Sequence, residues 1–299
     1  MVNRLRFLVS LITNDNDYQR QQASAAEIAA RRLGVDAQIV YASNNAITQV
    51  QQLLDAIQSE HPPDAILCEP VGTGASQVAR AAVGAGIGWA ILNREADYIH
   101  SLREKGRAPI FSVSANQIQV GRIQGFQLSG LLPQGGKVLY LEGPGNTSVA
   151  QQRETGMLQT KNDAIEVRKL KGKWTEESAY NVVRSWLALS TSRQLDIGVI
   201  AAQNDAMAMG ARKAFENNTA GADCERWLRL PYLGCDGCSD TGRAWVDKGL
   251  LAATVVIPAN TDVAMEKMIE ALEGSGQAED LMTMPVSYPA LDVQHRSVE

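Results

Sequence analysis

A polar or aromatic residue follows almost every apolar, strand-like run of this chain. Asn16, Tyr18 and Gln19 follow Leu5–Ile12, Asn93 and Arg94 end Ala90-Ile91-Leu92, and Arg153 lies beyond the turn at Gly145. Trp174 follows Leu170, Asn204 closes the run that starts at Val199, and Asp236 ends Tyr232-Leu233-Gly234. Amides and carboxylates exchange hydrogen bonds with hydroxyl groups, a guanidinium forks onto neighbouring oxygens, and a flat aromatic ring covers the C–H face of a ring-shaped ligand. Converging on one crevice, this set suits a neutral, polyhydroxylated molecule. Each member also has a plainer reading. Asn16 closes an Asx turn, Tyr18 and Trp174 are core, Arg94 and Arg153 pair with surface carboxylates, and Asp236 caps or turns before Gly237. Recurrence at strand end after strand end is what favours the site. Asn204 and Asp205 both stand where a ligand gathers, and Asp205 also suits the N-cap of the helix that follows.

Other chemistry is thinner. Cys235-Asp236-Gly237-Cys238 has C-x-x-C spacing, the remaining cysteines are Cys68 and Cys224, and His61, His100 and His295 are isolated, so a zinc site lacks its second half. Structural thiols are expected, with redox or metal chemistry as the alternative. Two glycine-rich turns, Glu69 to Ser76 and Glu142 to Ser148, follow strand-like runs, but neither completes G-x-G-x-x-G or carries a P-loop lysine. The first strand ends in Thr13-Asn14-Asp15-Asn16 rather than in a dinucleotide fingerprint. No nucleophile elbow or metal-spaced histidine pair is present. The expectation is no catalytic residue, no metal and no cofactor, with an enzyme on an α/β scaffold as the reading from another class.

Something must hold these residues at strand ends, and the apolar pattern supplies it. Strand-like runs at Leu5–Ile12, Gln38–Tyr41, Ala65–Cys68 and Trp89–Leu92 alternate with helix-period stretches, such as the stripe Ala25, Ile28, Ala29 and Leu33 closed by Gly34. A polar stretch from Ala96 to Pro109 interrupts the rhythm before Ile110–Val113. It resumes with strands at Lys137–Leu141, Ile165–Leu170, Ile197–Ala201, Leu228–Gly234 and Leu251–Val256, and a late helix bears Met265, Met268, Ile269 and Leu272. Such alternation implies parallel sheets with right-handed crossovers. With 299 residues and 45% hydrophobic content, the chain has room for two folded lobes. A formal net charge of −5 without a basic cluster argues against a nucleic-acid partner. Neither an export signal nor a membrane span is visible from Met1 onward, so the chain is expected in the periplasm if a signal was removed from it, and otherwise in the cytoplasm.

Taken together, Leu92-Asn93-Arg94, Asn146-Thr147-Ser148 with Arg153-Glu154, Ala202-Gln203-Asn204-Asp205-Ala206-Met207-Ala208-Met209-Gly210, Gly234-Cys235-Asp236-Gly237 and Gly249 to Thr254 are familiar. The chain resembles the type 1 periplasmic sugar-binding proteins, close to the ribose-binding group, which share a fold with the effector domains of lactose-repressor-like regulators. The resemblance implies two doubly wound parallel-sheet α/β lobes, residues 1–113 with 258–288 and 114–257 with 289–299. Three crossovers would join them, near Ser112–Ala115, Ile257–Pro258 and Tyr288–Ala290, and the lobes would close on a monosaccharide or polyol by hinge motion. Carried over, Asn16, Tyr18, Asn93 and Arg94 come from the first lobe and Arg153, Trp174, Asn204 and Asp236 from the second. Gln19 falls where ribose binders have a second aromatic ring, Asn93 replaces an acidic acceptor, and Val256-Ile257 occupy the place of a polar hinge residue; these departures point away from ribose itself. The implied partner is the permease of an ABC-type importer or a sensor protein, served by a monomer that inserts into no membrane.

Overall fold

Runs such as Phe7-Leu8-Val9 and Ala65-Ile66-Leu67 are apolar on both sides of the pleat, and such strands are stable only where helices cover both faces of the sheet. The structure, a computed structural model, describes residues 4–72, 74–94, 96–104, 108–189, 195–274 and 279–291. Thr73 of the first glycine-rich turn, residues 105–107 of the polar stretch, His295 and the chain end from 292 lie outside them.

The elements follow the expected alternation. The chain begins β1 (Arg6–Leu11), α1 (Asp17–Leu33), β2 (Asp36–Tyr41), α2 (Ala46–Ile57), β3 (Ala65–Cys68), α3 (Ala75–Gly84), β4 (Gly88–Leu92), α4 (Tyr98–Arg103) and β5 (Ile110–Ala115). It continues α5 (Gln117–Leu131), β6 (Gly136–Glu142), α6 (Ser148–Thr160), β7 (Ile165–Lys171), α7 (Glu176–Leu187), β8 (Ile197–Ala202), α8 (Asp205–Asn218), α9 (Gly221–Arg229) and β9 (Tyr232–Asp236). A π-helical turn at Ser239–Arg243 leads to α10 (Ala244–Asp247) and β10 (Ala253–Val256), then α11 (Thr261–Glu273), β11 (Leu281–Thr283) and β12 (Val286–Tyr288).

Two sheets result. One has the order β11-β5-β4-β3-β1-β2 with every pairing parallel. The other has the order β12-β10-β9-β8-β6-β7, parallel except for the antiparallel β12. The first lobe comprises Met1–Ala115 and Ala259–Thr283, the second Asn116–Pro258 and Met284–Glu299. Residues 284–288 thus belong to the second lobe and not, as expected, to the first. Val286–Tyr288 pairs with β10, so the third passage falls directly after Thr283 instead of near Tyr288.

Strand alternation divides the first lobe's core. Phe7, Val9 and Leu11 pack with α1 and α11 residues such as Ala26 and Met265, whereas Leu8, Ile66 and Trp89 pack with Leu53 and Val78 from α2 and α3. Three further expectations are corrected. Leu228 is helical, because α9 runs to Arg229 and β9 starts only at Tyr232. Ile28 is exposed, since α1 buries Ala23, Ala26, Ala29 and Ala30. The polar stretch after Arg94 holds α4, which buries Ile99 and Leu102.

In the second lobe α5 crosses α6 at near backbone contact. A methyl group on Gly121 would run into the Arg153 carbonyl oxygen, and one on Gly156 into that of Ile118. Glycine is required here for space, and the close approach sets Arg153 of α6 beside Gln117 of α5. Gly121→Ala is expected to lower unfolding stability by about 1–3 kcal/mol through overpacking; a denaturant midpoint equal to wild type would show that the crossing has slack.

Candidate functional site

In the first sheet β3 lies between β4 and β1, so the carboxyl ends of the three strands are neighbours. Asn16 caps α1, its Oδ1 accepting from the Gln19 backbone N–H at 2.8 Å. The first helical turn therefore carries Tyr18 and Gln19 onto the end of the sheet, where both are buried. Glu69, directly after β3, is the hub. Its Oε2 accepts from Gln19 Nε2 at 2.8 Å and from Asn93 Nδ2 at 3.0 Å. Asn93 Oδ1 in turn accepts from the Tyr18 hydroxyl at 2.9 Å and from Asn260 Nδ2. Asn93 leaves β4 with φ 58°, a left-handed conformation that asparagine tolerates better than most side chains. Arg94 follows and donates to the Gly72 carbonyl at 3.1 Å; burial draws its guanidinium pKa down and the Glu69 charge draws it back up.

The second sheet has the same plan, with β8 between β9 and β6 and β7 beyond. Arg153 is buried. Its Nε donates to Gln117 Oε1 at 2.9 Å and its Nη1 to the Gln203 carbonyl, Asp236 Oδ1 is 3.8 Å from Nη1, and the guanidinium lies 5.5 Å from the centre of the Trp174 ring. Those contacts leave Nη2 unengaged. Asn204 closes β8 and joins the set through Nδ2, which donates to the Trp174 carbonyl at 2.9 Å. Gln203 locks the turn after β6: its Oε1 accepts from Gly143 N at 2.8 Å, and its Nε2 donates to the Ala150 carbonyl at 2.9 Å. The second glycine-rich turn thus has an amide already committed inside the protein.

The capping role expected of Asp205 falls to its neighbour. Asn204 is the cap of α8, accepting from Met207 N at 2.9 Å with extended backbone, while Asp205 is the first helical residue. Asp205 is an organiser instead. Its carboxylate accepts from Gly237 N at 2.7 Å and from the Thr254 hydroxyl at 2.6 Å, tying α8 to β10 and to the turn after Asp236. Asp236 has φ 104°, unusual for a residue with a side chain, and the bond to its neighbour Gly237 holds that turn in place.

The expected residues therefore gather in two sets. Asn16, Tyr18, Gln19 and Asn93 surround Glu69 with Arg94 adjacent, and Arg153, Trp174, Asn204 and Asp236 surround the ends of β6 to β9. Gln19 is braced at both ends of its buried amide, Oε1 accepting from Ile12 N at 2.9 Å and Nε2 donating one N–H to Glu69 at 2.8 Å. Glu69, Asn260, Gln117 and Gln203 were not singled out as contacts. Glu69 obeys the strand-end rule that flagged the others but stands at the head of a glycine-rich turn. Only the fold reveals Gln117 and Asn260.

Two of the thiols are chemically quiet. None of the four cysteines is in a disulfide, and burial pushes Cys68 up to about 12 and raises Cys235 further. Protonated, buried thiols are poor nucleophiles and poor metal ligands. Among the described residues no group of three or more His, Cys, Asp or Glu could hold a metal ion, and no helix is long and apolar enough to cross a membrane.

Two α/β lobes, each with polar groups at the carboxyl edge of a parallel sheet, define a two-lobed solute-binding protein. The periplasmic binding protein domain model matches residues 7–276, and the chain belongs to that family. A candidate rhizopine-binding protein of Rhizobium meliloti is 28% identical over 193 residues, 61% of this chain and 58% of its own, so the match spans less than two thirds of that relative. The ribose import binding protein of Bacillus subtilis is 25% identical over 260 residues, 86% of this chain and 78% of its own. Among solved structures, an ABC transporter solute-binding protein from Bacillus halodurans with bound myo-inositol superposes with a TM-score of 0.79 at 22% identity, covering 95% of this chain and 94% of that one.

Removing the Asp205 carboxylate strands the Gly237 amide and the Thr254 hydroxyl. Asp205→Ala is expected to cost about 2–5 kcal/mol, since each buried group left without a partner costs ~1–3 kcal/mol. Chemical denaturation measures it, and a loss below about 0.5 kcal/mol, the scatter of ordinary surface substitutions, would deny Asp205 its organising role.

Proposed function

We propose that the chain captures a monosaccharide or polyol, the two polar sets engaging one ligand as the lobes close, and hands it on without chemical change. The observation that carries this reading is Arg153, a buried guanidinium held by Gln117 and Gln203 beside Asp236 and Trp174 with Nη2 left over. Such a group is oriented before any ligand arrives, which lowers the ordering cost of binding. Each set holds one cation and one carboxylate, Arg94 within the electrostatic influence of Glu69 and Arg153 beside Asp236, which favours a neutral molecule. The ligands of the two relatives and of the solved structure, all named for sugars, polyols or related compounds, support the same class.

In this reading Asn16, Tyr18, Asn93 and Arg94 contact the ligand from the first lobe, and Arg153, Trp174, Asn204 and Asp236 from the second. The protein works as a periplasmic monomer, with an ABC-type permease as its partner. It contacts no nucleic acid, and its net charge of −5 supports this.

A thermal-shift panel of ribose, other pentoses, hexoses, rhizopine and myo-inositol tests the class. A true ligand at a hundredfold excess over Kd stabilises by about 2.7 kcal/mol. A panel without any response, beside a shift from an unrelated metabolite class, would overturn the assignment; turnover of a bound sugar in mass spectrometry would make the protein an enzyme. With a ligand in hand, Arg153→Ala is expected to weaken it roughly 10- to 150-fold, because a buried charged donor contributes ~1.5–3 kcal/mol. Unchanged affinity in calorimetry would remove Arg153 from the site.

A further inference from the structure

A chain of hydrogen bonds leads from the ligand set of the first lobe to a residue outside it, Asn260. This residue is fully buried and stands at the N-cap position of α11, yet its side chain makes no capping bond there. Its Nδ2 donates to Asn93 Oδ1, and its Oδ1 accepts from the Thr283 hydroxyl at 2.9 Å. Its backbone N–H donates to Gln22 Oε1 at 3.0 Å, as does that of Thr261 at 3.1 Å, which fixes the segment to α1.

The direction of this chain is determined. Carboxylate oxygens accept and do not donate, so Asn93 must turn Nδ2 toward Glu69 and Oδ1 toward Asn260. Asn260 must then offer Nδ2 to Asn93, which leaves its own Oδ1 for Thr283. Asn93 Oδ1, with the Tyr18 hydroxyl and Asn260 Nδ2 both donating to it, has its two acceptor positions filled. One N–H of Asn93 Nδ2 is left over. Asn93 can therefore meet a ligand only as a donor.

The far end of the chain is equally specific. The first lobe is entered and left by the chain after Ala115, before Ala259 and after Thr283. Thr283 pairs with Ala115 across β11 and β5, and Asn260 is the second residue after the return into the lobe. Two passages thus lie one step from Asn260, Ala259 as its neighbour and Thr283 through a hydrogen bond, and the third, at Ala115, is reached through Thr283.

We infer that Asn260 is a positioning residue, which fixes the Asn93 amide with its N–H toward the ligand and ties that amide to the three passages between the lobes. The inference rests on Asn93 being a ligand contact as proposed above. On that footing the site asks its ligand for an acceptor oxygen opposite Asn93, and the demand is set by Glu69 and Asn260 without either supplying the contact.

The experiment is a double-mutant cycle between positions 260 and 93, read by calorimetry with whichever of ribose and myo-inositol binds the wild type more tightly. Asn260→Ala is expected to weaken binding about tenfold, the equivalent of a lost buried hydrogen bond. In an Asn93→Ala background it should add less than about twofold, because an effect transmitted through Asn93 has nothing left to act on. Equal losses in both backgrounds would overturn the inference and leave Asn260 a structural residue.

Asn260→Asp gives a second, independent order. The isostere keeps an acceptor for Thr283 but turns a carboxylate oxygen toward Asn93, whose amide cannot satisfy it and Glu69 at once with its present geometry. Asn260→Asp should therefore bind more weakly than Asn260→Ala. A purely structural residue would show the reverse, with the isostere milder than the truncation, and that order would refute the assignment even where Asn93→Ala binds too weakly to measure. Thermal melts of the ligand-free variants confirm that each is folded. A wild type that binds neither probe nor any other sugar overturns the sugar reading and this inference together, whereas a binding wild type with an uncoupled cycle overturns this inference alone.

Discussion

A parallel strand covered by helices on both faces can hold a polar side chain only where a partner reaches it, as Gln49 reaches Ser10 and Asp205 reaches Thr254, or at its ends. Val9, Leu67, Ile91 and Ile200 are wholly enclosed, and an unpaired polar atom among them would cost several kcal/mol, of order 2–7. Polar groups are therefore pushed to the edges, and the carboxyl edge collects them because there the chain leaves each strand for the start of a helix. Asn16, Thr147 and Asn204 each cap the helix beyond such a strand end. The cap fixes the first helical turn, and the first turn fixes the side chains around it. What reads as a binding site is thus also the place where the fold satisfies its own backbone.

That double duty explains why the two edges are so interconnected. In the first lobe neutral amides converge on one carboxylate, with Gln19 and Asn93 sharing a single Glu69 oxygen. In the second, the central group is a cation, and Gln117 and Gln203 hold Arg153 while Asp236 balances its charge. Burying a charge is tolerable only when it is compensated, and both lobes supply hydrogen bonds to it with long amides reaching from neighbouring elements. The remaining hydrogen-bond capacity is small and pointed. Strained backbone lies in the same places: Asn93, Trp174 and Asp236 all have positive φ, at about 1–3 kcal/mol each for a side-chain-bearing residue. Surrounding bonds hold those conformations, Asn93 through Glu69 and Asn260, Trp174 through Asn204, and Asp236 through its neighbour Gly237.

Much of this was legible from the residues. Continuous apolar runs located Ala65–Cys68 to the residue and most other strands to within two, and the strand-end rule found members of both polar sets. The rule could not tell a contact from a brace. Gln19 is braced by a backbone N–H beside β1 and a carboxylate after β3, and that depends on strands far apart in sequence. Glu69 obeys the same rule, but it heads a glycine-rich turn, a pattern that points to phosphate at the backbone and not to the side chain. β11 and β12 escaped because three-residue edge strands with exposed Met282 and Val286 carry no burial pattern to detect. The misplacement of residues 284–288 follows directly from that.

The division of labour between the edges also constrains what can be recognised. Arg153 is a donor by its chemistry, and Asn93 is one by its surroundings, since both acceptor positions of its oxygen are taken. Asp236, as a carboxylate, accepts. On the proposal that all three meet one ligand, that molecule accepts at two points and donates at a third, which hydroxyl groups do at every position without carrying charge. A carbonyl or ether oxygen can only accept, and an ammonium only donates. On that proposal a preference for a polyol over a charged or purely carbonyl solute follows from which hydrogen-bonding capacity the fold has left over, more than from which residue types stand at the edge. Exchanging a residue that touches no ligand can then alter recognition as much as exchanging one that does.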